Sequence, residues 1–90
     1  MSLPLGKVYG TMGALVAFAG ALDEDLNSYI SRHESGDWGE VDDHDRRANE
    51  YAVEHGLRVL SAYRLRSGQK IWIITEADRS SMTILLPDEY

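Results

Sequence analysis

A chain of 90 residues with 43% hydrophobic and 27% charged residues holds one domain, near the lower end of what folds without cross-links. It has no cysteine, which excludes disulfides, thiolate metal sites and a cysteine nucleophile. That absence also favours a reducing, cytoplasmic setting, because secreted domains this small are usually cross-linked. The formal net charge is −6, and residues 21–56 hold eleven of the fifteen carboxylates against three arginines. Contact with a phosphate backbone needs clustered Lys and Arg, so direct nucleic-acid binding is not expected. An acidic segment of this kind suits a basic protein partner or plain solubility.

Lys7-Val-Tyr-Gly10 reads as a short N-terminal strand. Thr11 is placed to cap a helix running to Leu22, its hydroxyl accepting from a free backbone N–H. The apolar run from Met12 to Leu22 imitates a signal peptide, with Ala19-Gly20-Ala21 resembling a cleavage site. It is too short to span a bilayer, so no membrane association is expected. Ala14, Leu15, Ala17, Phe18, Ala19 and Leu22 leave little polar face, which predicts that this is the most buried helix.

Asp23 is expected to cap a second helix that Gly36 ends. Leu26, Tyr29, Ile30 and His33 form its apolar face at i, i+3, i+4, i+7. Trp38, in the turn Asp37-Trp-Gly39, should tuck back onto the helices. Asp42 begins a third helix with Asp45 in a capping-box-like position. Its expected inner face is Ala48, Tyr51, Ala52 and His55, and Gly56 is a natural terminator. His33 and His55 fall in last turns, where partial positive charge suits the helix dipole.

From Leu57 the period changes to two. Strands at 57–65, 70–76 and 82–86, joined by a glycine-containing hairpin loop and by Asp78-Arg-Ser-Ser81, make an antiparallel β-meander that Pro87 stops. The predicted fold is α+β, a single domain over 1–90: two to three helices in about 11–56, then the three-stranded meander in about 57–86. Alternation turns Val59, Tyr63, Ile71, Ile73, Ile84 and Leu86 toward the helices. The other face shows Leu60, Ala62, Trp72, Ile74 and Leu85, with Arg58, Arg64 and Glu76 at its margin. A solvated sheet face should be polar; an apolar one rimmed by charge marks an interface, unless the N-terminal strand or the tail covers it.

Candidate chemistry is sparse. His33, His44 and His55 form no metal-ligand pairing on a helix, so no metal site is expected. The serines lack a nucleophile-elbow context, and no phosphate-binding glycine motif implies a nucleotide or other cofactor. Glu76, Asp78, Arg79 and Ser80 form one dense polar loop between strands. It is a candidate binding loop, and equally what the chemistry of any tight turn looks like.

The segments Arg58-Val-Leu-Ser-Ala-Tyr63, Ile71-Trp-Ile-Ile-Thr-Glu-Ala-Asp-Arg-Ser80 and Thr83-Ile-Leu-Leu-Pro-Asp-Glu-Tyr90, together with Arg32-His33, Gly36-Asp-Trp-Gly39 and Ala48-Asn49, resemble an uncharacterised family of small proteins carried on bacterial plasmids, phages and integrative elements. The resemblance implies an accessory protein of mobile DNA and brings no active site with it. Three functions are open at this point. The first is a non-enzymatic interaction or inhibitor protein acting against a host defence system. The second is a ribonuclease toxin of RelE type using Arg58, Tyr63, Arg64, Lys70 and Arg79, which a calculated pI near 4.8 disfavours. The third is a homo-oligomer, most simply a homodimer, whose sheet faces pair.

Overall fold

The computed structural model describes residues 3–4, 6–21 and 23–90. Capping oxygens set the three helix starts. Thr11 accepts from the Ala14 N–H ahead of α1 (Met12–Ala19), Asp25 from Asn27 ahead of α2 (Leu26–Glu34), and Asp42 from Asp45 ahead of α3 (Asp43–His55). Each satisfies one of the backbone donors that a helix start leaves free. α2 therefore begins two residues later than the Asp23 reading. Glu24 is held outside the helix, its carboxylate accepting from the Tyr29 hydroxyl and the Arg66 backbone N–H. α1 stops at Ala19, and Leu22, the expected last residue of that helix, lies outside the described residues. α3 closes on Gly56 at φ +66°, the left-handed conformation that glycine adopts without steric cost.

The strands are β1 (Lys7–Gly10), β2 (Val59–Arg64), β3 (Lys70–Thr75) and β4 (Ser81–Leu85), with a 3-10 turn, Pro87–Glu89, at the end. β2, β3 and β4 are antiparallel neighbours. The sheet is nonetheless four-stranded and mixed, in the order β1-β4-β3-β2, because β1 adds to β4 in parallel. This corrects the three-stranded antiparallel expectation. A parallel partner can be remote in sequence, so no local turn announces it. The accessible surface of 5321 Å² matches the roughly 5,300 Å² expected of a compact chain of this mass.

Period two turns Val59, Tyr63, Ile71, Ile73 and Ile84 to the helices as expected, and all five are buried. They form two clusters. One gathers Tyr63, Ile71, Ile73, Met82 and Ile84 beneath Ala14 and Tyr29; the other joins Val59, Trp38, Ala52 and Leu3. Two helix faces differ from the sequence reading. In α3 the inner residues are Asn49 and Ala52, whereas Tyr51 is exposed and stacks on His55 along the surface. In α1 only Ala14 is buried, with Ala17 and Phe18 packed partly against the core. α1 lies at the edge of the sheet, and an eight-residue helix there can bury one stripe only.

Candidate functional site

The five residues expected to form an interface do share the sheet face away from the helices, as their register shows. Ala62, Ile74 and Leu85 are nevertheless only 6%, 4% and 5% exposed. Leu60 and Trp72 are half-buried, and Tyr90 stands edge-on to Trp72 at 5.6 Å between ring centroids. The Tyr90 hydroxyl accepts from Arg58, which also pairs with Glu76. The C-terminal residue thus lies along β3 and shields part of this face.

The candidate binding loop is committed to its own turn. Asp78 accepts from the Ser80 backbone N–H and hydroxyl, and these bonds hold its carboxyl below the usual range. Arg79 adopts φ +64° and directs its guanidinium at the carbonyls of Ala52, Leu57 and Glu76. It thereby satisfies acceptors at the C-terminus of α3, where the helix dipole favours a cation. The proposed RNA-contacting residues do not meet at one site either. Tyr63 is inside, its hydroxyl donating to the Asp37 carbonyl and its pKa pushed up to about 12 by burial. Arg64 and Lys70 both reach Glu40, Arg58 lies at the far end of β2, and Arg79 caps α3.

Asn49 and the Trp38–Glu40 segment close the outer edge of β2. Asn49, buried, donates from Nδ2 to the Leu60 carbonyl at 2.7 Å and accepts the Leu60 N–H at 3.1 Å. The Trp38 carbonyl accepts the Ala62 N–H, and the Glu40 N–H donates to the Ala62 carbonyl. Gly39 at φ +74° sits against the Ala62 carbonyl, where any Cβ would collide with it. Arg32 binds Asp37 at 2.7 Å and stacks over the Tyr63 ring; this bond is the main reason that the Asp37 carboxyl is held below the usual range. Open strand edges invite pairing with other chains. This one is shut.

At the junction of the two clusters lies His33, fully buried and edge-on to Trp38. Its Nδ1 is 2.5 Å from Ser61 Oγ and its Nε2 2.7 Å from Thr75 Oγ1. Burial pushes its pKa down to about 4, so at neutral pH one ring nitrogen donates and the other accepts. The expected helix-dipole role of a charged His33 is overturned: desolvation of the cation outweighs the dipole. Asp42, His44 and Asp45 converge on the surface, but Asp42 is already the α3 cap.

The opposite edge is different. In the parallel register Lys7, Tyr9 and Thr11 point their backbone groups at β4, with Lys7 donating to Ser80 and Thr11 to Ile84. Val8 and Gly10 therefore point theirs outward, and none of those groups has a backbone partner among the described residues. Around this edge Met12, Val16 and Leu15 are 74%, 63% and 55% exposed, and Val8 and Tyr9 are about half-exposed. Between β1 and α1 an apolar cleft of about 200 Å³ opens, walled by Val8, Leu15, Phe18, Leu26 and Ile84. The sequence reading misses this strip because a helix without a polar face points to burial on every side. The signal that could have found it is the helix's length, too short to bury all of them.

The fold and its surfaces define a small α+β domain with one closed and one open sheet edge and, among the described residues, no helix long and apolar enough to cross a membrane. Comparisons with protein-family models, curated proteins and solved structures found no match.

Proposed function

We propose that the chain is a non-enzymatic protein-interaction module, serving as an accessory or inhibitor protein of a mobile genetic element. The accessory role follows the resemblance of its motif segments to that family. The observation that carries the interaction reading is the apolar strip of Val8, Tyr9, Met12, Leu15 and Val16 beside an unpaired strand edge and its cleft. Contiguous apolar surface of this kind on a small folded domain marks a contact site, and a free strand edge supplies main-chain bonds to whatever docks there. The engagement of the polar loop and of the basic residues within the chain itself supports binding over chemistry. Leu60 and Trp72 offer a lesser patch on the far face.

A photo-crosslinking benzoylphenylalanine replacing Met12, compared with one replacing Arg47 on α3, tests this in the native host. Adducts are expected from position 12. Adducts from position 47 alone, or from neither, would refute the assignment.

A further inference from the structure

Resting on that reading of the strip, we propose that its occupant is a second copy of the chain. β1 pairs antiparallel with β1 of the partner about a two-fold axis, so that one continuous sheet crosses both copies. A two-fold edge pairing is necessarily antiparallel and self-complementary.

Backbone geometry selects the register. Within β1 Val8 and Gly10 turn their N–H and C=O outward, and setting Val8 of one copy opposite Gly10 of the other is the two-fold register that engages both positions of both strands. Tyr9 then faces Tyr9 across the axis in a non-hydrogen-bonded pair, where side chains approach closely and aromatic pairs are favoured. On the cleft side, Gly10 has no side chain, and the room beside Leu15 is what the opposing Val8 would fill.

Charge distribution selects a second copy over a basic or an acidic partner. Residues 1–20 carry a single charged side chain, Lys7, in a chain of net charge −6. The same register sets Lys7, which has no carboxylate partner within its own chain among the described residues, opposite Thr11 of the other copy. The Thr11 hydroxyl holds Glu89 there, so the strip's one cation meets a carboxylate.

Sedimentation of the full chain across a dilution series should show a species of twice 10.1 kDa dissociating on dilution. Val8→Pro removes one outward N–H and leaves the β1–β4 ladder intact, since proline is tolerated on the solvent side of an edge strand. It is expected to raise the dimer dissociation constant by about tenfold or more. Should that variant fail to fold, Val8→Lys at the same exposed position is expected to give the same loss. Tyr9→Cys reports the register, because the chain has no other thiol. Cα atoms about 4.5 Å apart across the axis are within disulfide reach, so mild oxidation should cross-link Tyr9→Cys and not Lys7→Cys. A monomer at every concentration, a dimer indifferent to both Val8 variants, or equal cross-linking of the two cysteines would overturn the proposal. A persistent monomer that still forms position-12 adducts with another protein would sink self-pairing alone. A monomer without adducts would remove the contact-surface reading as well.

Discussion

Lowering the pH from 7 to 4 should destabilise this protein, and one buried residue supplies a separable part of that loss. His33 is fully buried, and its pKa stands at about 4 in the fold against an ordinary value of 6.5, with burial as the cause. Above about pH 6.5 the imidazole is neutral whether the chain is folded or not, and its contribution is whole. As the pH falls, the unfolded chain takes up a proton that the native state refuses until about pH 4. Stability is therefore lost across that window, with a total near 3 kcal/mol. That is a large fraction of what holds a 90-residue domain together. Urea unfolding at half-unit pH steps, for the wild type and for His33→Gln, isolates the effect. The variant cannot titrate at this position, so its stability at pH 7 should be lower but its pH slope shallower by up to one proton. Ring-proton chemical shifts offer a second readout: His33 should hold its neutral position down to pH 5. Parallel stability slopes for the two proteins, or a His33 midpoint near 6.5, would refute the reasoning.

Other consequences follow from the closed edge and the α3 terminus. Asn49→Ala strips the Leu60 N–H and C=O of their partners; a cost of about 2 kcal/mol or more in urea unfolding, with faster exchange of the Leu60 amide, is expected. Gly39→Ala adds a Cβ against the Ala62 carbonyl at a positive φ and should cost at least about 2 kcal/mol. Gly56→Ala, also at positive φ but with open space around it, should lose only about 1 kcal/mol; equal melting-temperature losses would contradict the steric account. Arg79→Met keeps the aliphatic stem and removes three bonds to carbonyls. It should cost about 1–3 kcal/mol, with hydrogen exchange accelerated first in the last turn of α3.

Much of the framework is legible in local signals. The change to period two at Leu57, the glycine loop at 66–69 and Pro87 specify β2 to β4, because alternation and turn chemistry act between near neighbours. Thr11, Asp42 and Gly56 cap their helices where expected, since a cap bonds only to its own first or last turn. The Leu26-Tyr29-Ile30-His33 stripe faces the core for the same reason. The two departures in helix orientation come from context. Asn49 is polar, and its inward place follows from the bare edge of β2, which the fold brings against α3, rather than from anything beside it in the chain. α1 is apolar all round, and only its position at the sheet margin makes most of that surface external.

The parallel pairing of β1 with β4 is the decision that tertiary structure alone made. The amino-acid order determined that there would be a meander with an apolar inner face, helices capped at Thr11, Asp42 and Gly56, and no thiol chemistry. Those are consequences of periodicity, caps and composition, all readable within a few residues. Which strand would close the sheet joins residues more than seventy positions apart, and its free energy comes from packing, for which no local pattern stands proxy. That choice leaves one edge covered by Asn49 and the Trp38–Glu40 segment, and the other, at Val8 and Gly10, open.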